Sequence, residues 1–93
     1  MEQSQRIDLA GLNLRAGRKT FDASAFGPSS EYLRKAIELL AEDHWQEEYP
    51  LSLDLFSTAA ETFFCIGNFD LSETYCHAIL EQSHRPLLHN RRA

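Results

Sequence analysis

Valine is absent from the chain, and isoleucine and threonine occur only four times each among its 93 residues. Because β-branched residues are the ones enriched in strands, this scarcity argues against a β-sheet. No apolar run approaches the roughly 20 residues of a membrane-spanning helix, and residues 1–6 are polar and lead into no signal-like apolar core. We therefore predict an all-helical protein, without a membrane partner and with a cytoplasmic location.

Lysine and arginine are missing from residues 42–84, which carry nine acidic side chains. Residues 1–41 carry six basic and five acidic side chains, and residues 85–93 carry three arginines, which gives a net charge of −5. Nucleic-acid binding needs a basic surface, so the acidic middle argues against a nucleic-acid partner and against a helix-turn-helix DNA-binding protein. The acidic stretch is either a solvated face or a surface for a basic protein partner.

Cysteine is also scarce, with only Cys65 and Cys76. Without a secretory signal we expect no disulfide, and we expect both thiols to be small buried residues, Cys76 facing the core and His77 facing away. The candidate zinc ligands are Cys65, Cys76, His77, His84 and His89, but no C-x-x-C or H-x-x-x-H pair occurs. No cofactor or metal is therefore predicted, and a small helical zinc-binding module is kept as an alternative function.

Apolar residues recur at three- and four-residue steps, which is typical of amphipathic helices. They predict one helical domain over residues 1–93, with helices at about 7–21, 25–41, 44–66 (kinked at Pro50) and 69–83, and a tail over 87–93. Pro50 is expected to break or kink the helix over 44–66 because it lacks an N–H group, which leaves a helical turn from His44 to Tyr49 before it and a third helix from Leu51 to Ile66 after it. Two alternative starts are predicted for the second helix. In one, Ser24 is the N-cap, and in the other Gly27 is the N-cap and Pro28 is the first helical residue.

Gly67 is the predicted end of the third helix, because glycine readily adopts the left-handed conformation that ends helices. Asn68 or Asp70 is the predicted cap of the fourth. Each helix has a predicted buried stripe. In the first helix the stripe is Leu9, Leu12, Ala16 and Thr20, with Leu14 and Phe21 adjoining, and in the second it is Tyr32, Leu33, Ala36, Ile37, Leu39 and Leu40. In the third helix it is Leu55, Phe56, Ala59, Ala60, Phe63 and Ile66, and in the fourth it is Phe69, Ser72, Cys76, Ile79 and Leu80.

The second half has the residue sizes of a tetratricopeptide repeat, a helix pair whose helices cross at small residues. Phe56 and Phe63 take the large positions, and Ala59 with Ala60 the small ones. In the first half Ala16-Gly17 matches the small pair, but Gly17 and Ala60 are 43 residues apart, against a usual period of about 34. We predict an all-α fold of two antiparallel helix pairs packed as a tetratricopeptide-like right-handed repeat, with a generic four-helix bundle as the alternative.

Three stretches of the sequence carry a second resemblance: LNLRAGRK from Leu12, AFGPSSEYLRKAIELLAEDHWQEEYPLSLDLF from Ala25, and CIGNFD from Cys65. They resemble the helical-repeat region of large signalling proteins that join a kinase-like domain, an AAA-type ATPase and often a histidine kinase or cyclase. The most specific match is Asp43-x-Trp45 followed by Tyr49. The resemblance implies a fragment that follows an ATPase module and precedes a sensor or output module, and it brings no catalytic residue.

The function predicted on these grounds is a non-catalytic interaction or linker module. None of the four glycines belongs to a G-x-x-x-x-G-K-[ST] loop, so we expect no nucleotide hydrolysis and no enzyme. The alternative is a small all-helical enzyme that acts as an intertwined dimer and would use Arg15, Glu38 and Glu61.

The predicted partner is a protein, either a neighbouring domain or a basic surface. The candidate partner-binding residues are Trp45, Glu47, Glu48 and Tyr49 in the acidic link, residues 42–49. The other interpretation of Trp45 is that it fixes the link onto the helices, because large aromatic side chains tend to be buried. A repeat leaves an apolar face at each end, so weak self-association through the end faces is also expected.

Overall fold

The computed structural model describes residues 2–83, which form five helices and no strand. They are α1 (Gln3–Asp22), α2 (Phe26–Glu38), α3 (His44–Glu47), α4 (Tyr49–Ile66) and α5 (Phe69–Ser83). We call α1 with α2 the first pair and α4 with α5 the second pair, and α4 packs against α2. The predicted all-helical class is confirmed, and the predicted tail over 87–93 lies outside the described residues.

The two helices of the first pair are antiparallel, and side-chain contacts join them at both ends. At the turn, the rings of Phe21 and Phe26 are in contact. At the far end, Arg6 Nε donates a hydrogen bond to the Leu39 carbonyl at 3.0 Å. Helix α1 begins four residues before the predicted start, where the Gln5 side chain accepts a hydrogen bond from the Glu2 N–H at 3.2 Å.

The start of α2 matches neither predicted alternative. Ala25 is the N-cap and Phe26 the first helical residue, so Pro28 is the third residue of the helix. The N–H groups of the first turn have no intrahelical partner, and a proline there loses no hydrogen bond. Helix α2 also ends at Glu38, three residues before the predicted end.

The helix predicted over residues 44–66, with a break or kink at Pro50, is interrupted at Glu48, two residues earlier. Glu48 has φ −131° and ψ 53°, which separates α3 from α4. Pro50 is the second residue of α4, where its missing N–H costs nothing. The first regular turn is closed by the Ser52 N–H, which donates to the Glu48 carbonyl at 2.9 Å.

The core lies along α4, which contacts the other four helices. Leu55, Ala59 and Phe63 are buried as predicted, and Ala59 is completely enclosed. Tyr75 of α5 stacks on Phe63 with ring centroids 5.8 Å apart. The predicted stripe of α4 is therefore confirmed, except at its end, where Ile66 is 44% exposed in the last turn.

The predicted stripes of the outer helices are partly wrong. In α1 the buried residues are Ala10, Leu14 and Gly17, whereas Leu9 and Leu12 are exposed. In α5 Ser72 is buried and Ile79 is half-buried as predicted, but Phe69, Cys76 and Leu80 are exposed, and Cys65 at the end of α4 is exposed as well. Helix α5 packs mainly on α4, and α1 mainly on α2, so only one side of each helix is enclosed within residues 2–83.

Candidate functional site

The two helix pairs contain the same hydrogen bond at the same place. Ser29 Oγ of α2 donates to the Gly17 carbonyl of α1 at 2.8 Å. Ser72 Oγ of α5 donates to the Ala60 carbonyl of α4, also at 2.8 Å. Both members of the second contact lie 43 residues after those of the first, so this spacing relates one pair to the other.

The turns of the two pairs match at the same spacing. Ser24 and Gly67 are the residues with positive φ, at 62° and 93°. Two phenylalanine rings meet edge to face across each turn, with centroids 5.2 Å apart in both pairs. The ring pairs are Phe21 with Phe26 and Phe64 with Phe69. Together with the serine contacts, these features of the first pair recur in the second at a spacing of 43 residues.

The outer face of the first pair is covered by α4. Ser29, Leu33 and Ala36 of α2 are completely buried, and Thr62 of α4 lies with its Oγ1 3.4 Å from Ser29 Oγ. A Cβ atom at Gly17 would lie 2.9 Å from the Leu33 side chain, so the glycine is what lets α1 approach it this closely. Two helices therefore hold Leu33 between them.

The same face of the second pair is an open groove, which we call the α4–α5 groove. Ser72, Cys76 and Ile79 are the counterparts of Ser29, Leu33 and Ala36, and they line it together with Ala60 and Glu61. Phe21 of α1 also borders the groove, and Cys76 is exposed where Leu33 is fully buried. The sequence interpretation placed Cys76 in the core and missed the groove, although the spacing from Gly17 to Ala60 was a signal for it.

The predicted partner-binding residues of the link lie in different environments. Trp45 is 8% exposed and packs on Phe56, with ring centroids 5.0 Å apart. Tyr49 lies at the edge of this cluster and is 39% exposed, Glu47 is exposed and Glu48 is half-buried. Trp45 thus lies in the core of the link, whereas binding of a partner by these four residues stays a prediction.

His44 fixes the link onto α4 and was not identified from the sequence. Its Nδ1 lies 2.7 Å from Ser52 Oγ, and its ring stacks on Phe56 with centroids 5.6 Å apart. Burial lowers the pKa of His44 below its usual 6.5, while the nearby Asp43 carboxylate acts in the opposite direction. The neutral ring is therefore the form that suits this site.

The residues considered for catalysis and for metal binding do not form one site among residues 2–83. Arg15, Glu38 and Glu61 are exposed on three different helices. In the same part of the chain no three His, Cys, Asp or Glu side chains are grouped as metal ligands, and His84 and His89 lie outside it. The absence of catalysis and of a metal stays a prediction. No helix within residues 2–83 has the length and apolar character to cross a membrane.

The chain is similar to a hybrid signal transduction histidine kinase, protein G, of Dictyostelium discoideum. The two are 26% identical over an alignment 91 positions long, and the alignment covers 88% of this chain. The chain spans only 3% of the length of that protein, so it is similar to a small segment of a signalling protein. No known protein family and no solved structure matches the chain.

Proposed function

We propose that the chain is a non-catalytic helical-repeat segment, tetratricopeptide-like in its packing, that joins domains of a larger signalling protein. The observation that supports this most is the serine-to-carbonyl contact that recurs 43 residues apart in two matching helix pairs. Stacked repeats are built this way, because each unit contacts only its neighbours and all units use the same contacts.

The packing suits a rigid linker. Gly17 brings α1 against Leu33, and the Ser29 and Ser72 hydroxyls tie the helices of each pair together. Close-packed protein interiors have low compressibility and transmit strain. A segment of this kind holds the domain before it at a fixed angle to the domain after it.

The signalling context has two supports, both of which come from the sequence. One is the similarity to part of a hybrid signal transduction histidine kinase. The other is the resemblance of the three stretches to repeat regions that follow an AAA-type ATPase module. On this proposal, the chain acts in the cytoplasm beside an ATPase and an output kinase, and the acidic link with Glu47, Glu48 and Tyr49 faces a basic neighbouring domain.

The proposal is tested in the Dictyostelium kinase. Its matched segment is deleted, or replaced by this chain, or replaced by an unrelated helical spacer of equal length, and autophosphorylation is measured in each protein. We expect deletion and spacer to disturb the activity and this chain to restore it. The proposal is wrong if deletion has no effect or if the spacer restores as much activity as this chain. The isolated chain is also incubated with ATP, and turnover above background would contradict a non-catalytic role.

A further inference from the structure

The α4–α5 groove repeats a docking face whose occupant is known. On the first pair, Thr62 of α4 contacts Ser29 of α2, and Leu55, Ala59 and Thr62 are all completely buried. Their spacing of four and three residues puts them on one side of α4. On the second pair, an equivalent groove lies open beside Ser72 and Cys76 within residues 2–83. It is shaped for a helix that has an apolar side with a small residue in the middle.

Helix α1 carries such a side. The counterparts of Leu55 and Ala59, 43 residues earlier, are Leu12 and Ala16. Leu12 is 51% exposed, and Leu9, one turn before it, is 38% exposed. These leucines formed the stripe that the sequence predicts as buried, and no helix within residues 2–83 covers them.

In a solution of this chain, α1 of another copy meets the requirement, because Leu12 and Ala16 repeat the pattern by which Leu55 and Ala59 pack within one chain.

Charge favours the same pairing. Helix α1 exposes Arg15 and Lys19 beside Leu12 and Ala16. Lys19 is the counterpart of Thr62, which is fully buried against Ser29, so in a docked α1 the long Lys19 side chain extends past Ser72 to the exposed Glu73. Arg18 pairs with Asp54 between α1 and α4, and the counterparts of these two residues are Glu61 and Gly11, so docking places Glu61 one turn from Arg15. Opposite charges at these places stabilise the docked helix, and residues 42–84 contain no lysine or arginine to oppose it.

We propose that copies of this chain associate head to tail, with α1 of one copy docked in the α4–α5 groove of the next, as α4 docks on α2 within one chain. This inference rests on the repeat part of the proposed function and not on its signalling part. The two surfaces are different, so each copy joins two neighbours, and assemblies larger than a dimer form as rings or open chains. One helix face is a small interface, and the association is weak and depends on concentration.

The test is sedimentation velocity of the full chain under reducing conditions, from micromolar to millimolar concentration. The average mass is expected to rise with concentration and not to stop at a dimer. Leu12→Glu places a charge on the docking side of α1, and Cys76→Glu places one in the groove. Each variant alone is expected to weaken association at least about tenfold, because docking would bury an unpaired carboxylate.

A mixture of the two variants is the decisive measurement. Leu12→Glu keeps an intact groove and Cys76→Glu keeps an intact α1 surface, so an equimolar mixture is expected to form a one-to-one dimer that grows no further. Ile66→Glu makes the same change at an apolar residue that is 44% exposed outside both surfaces, and it is expected to associate like the parent chain. Circular dichroism and thermal melting show that each variant is folded.

Three outcomes overturn the inference. They are a parent chain that stays monomeric at every concentration, a dimer that persists in either single variant, and a mixture that stays monomeric although both variants are folded. A gain-of-function variant gives an independent check. Cys76→Leu installs the side chain that occupies this position in the first pair, and it is expected to strengthen association about threefold through added apolar burial. Failure here leaves the kinase replacement experiment unaffected, because that experiment has a different readout.

Discussion

The two helix pairs differ in what covers them and hardly at all in how they are built. They share the serine-to-carbonyl hydrogen bond, the left-handed turn residue and the edge-to-face phenylalanine rings. Yet Leu33 is completely buried, and its counterpart Cys76 is exposed. The comparison teaches that the geometry of a pair is local, whereas the burial of its outer face depends on the helix that comes next.

The largest expected effect comes from truncating this position in each pair. Leu33→Ala is expected to lower the free energy of unfolding by about 2–5 kcal/mol, because it leaves a cavity between α1 and α4. Cys76→Ala is expected to change it by less than about 0.5 kcal/mol, since exposed side chains contribute little. Urea unfolding at low protein concentration measures both. Equal losses in the two variants would mean that the second groove is covered in solution.

The next effect comes from enlarging the small residue at the crossing. Gly17→Val is expected to destabilise the chain by about 1–3 kcal/mol, because a Cβ would already lie 2.9 Å from Leu33, which α4 holds in place. Ala60→Val adds bulk at the equivalent place beside the open groove and is expected to cost less than about 1 kcal/mol. Thermal melting of both variants shows whether Gly17→Val loses more stability than Ala60→Val. A reversed order would break the equivalence of the two pairs.

A smaller effect tests the two turns. Gly67 has φ 93°, so Gly67→Ala is expected to cost about 1–2 kcal/mol through strain at the left-handed residue. Ser24 has φ 62° in the first turn, and Ser24→Gly is expected to raise stability by about 0.5 kcal/mol by removing the same strain. Urea unfolding of the two variants shows whether the free energy of unfolding falls in Gly67→Ala and rises in Ser24→Gly. Stabilisation by Gly67→Ala would contradict a left-handed residue in the second turn.

The smallest effect concerns the link between the pairs. The pKa of His44 is lowered in the folded chain, so the neutral ring favours folding and protonation favours the unfolded state. Stability from this site is fully present above pH 6.5, the pKa of the unfolded side chain, and falls as the pH drops below it. The ring is partly exposed, so the change is small.

Urea unfolding on both sides of pH 6.5 measures this dependence, which His44→Gln is expected to reduce. His77→Gln is the matched control, because His77 is exposed and pairs only with the exposed Glu73 at 3.9 Å. An unchanged slope in His44→Gln would mean that the contact with Ser52 does not favour the neutral ring.

Sequence patterns predicted the helices well where a local signal exists. Gly67 ends α4 with positive φ as predicted, and Asn68 caps α5 by accepting the Leu71 N–H at 3.2 Å. The interruption was predicted at Pro50 and lies at Glu48, because Pro50 is acceptable both at a break or kink and in a first helical turn. Neighbouring residues alone do not distinguish these two cases.

The candidate sites were harder to predict than the helices. Leu12 and Cys76 belong to good apolar stripes, but a stripe says only that a helix has a side that suits a partner. Trp45 was considered both as an exposed anchor and as a core residue, and its contact with Phe56 is what places it in the core. His44 gave no signal, since its partners are Ser52 and the Phe56 ring across the link.

The sequence by itself determined an all-helical chain, the turn at Gly67 and the small residues where helices approach, because periodicity, backbone conformation and side-chain size act over a few neighbouring residues. Only the tertiary structure decided which stripe is enclosed, how His44 and Trp45 close the link, and that the second pair repeats the first with its groove left open. Burial depends on helices that are distant along the chain, and the same stripe of side chains is core or surface according to whether such a helix is present.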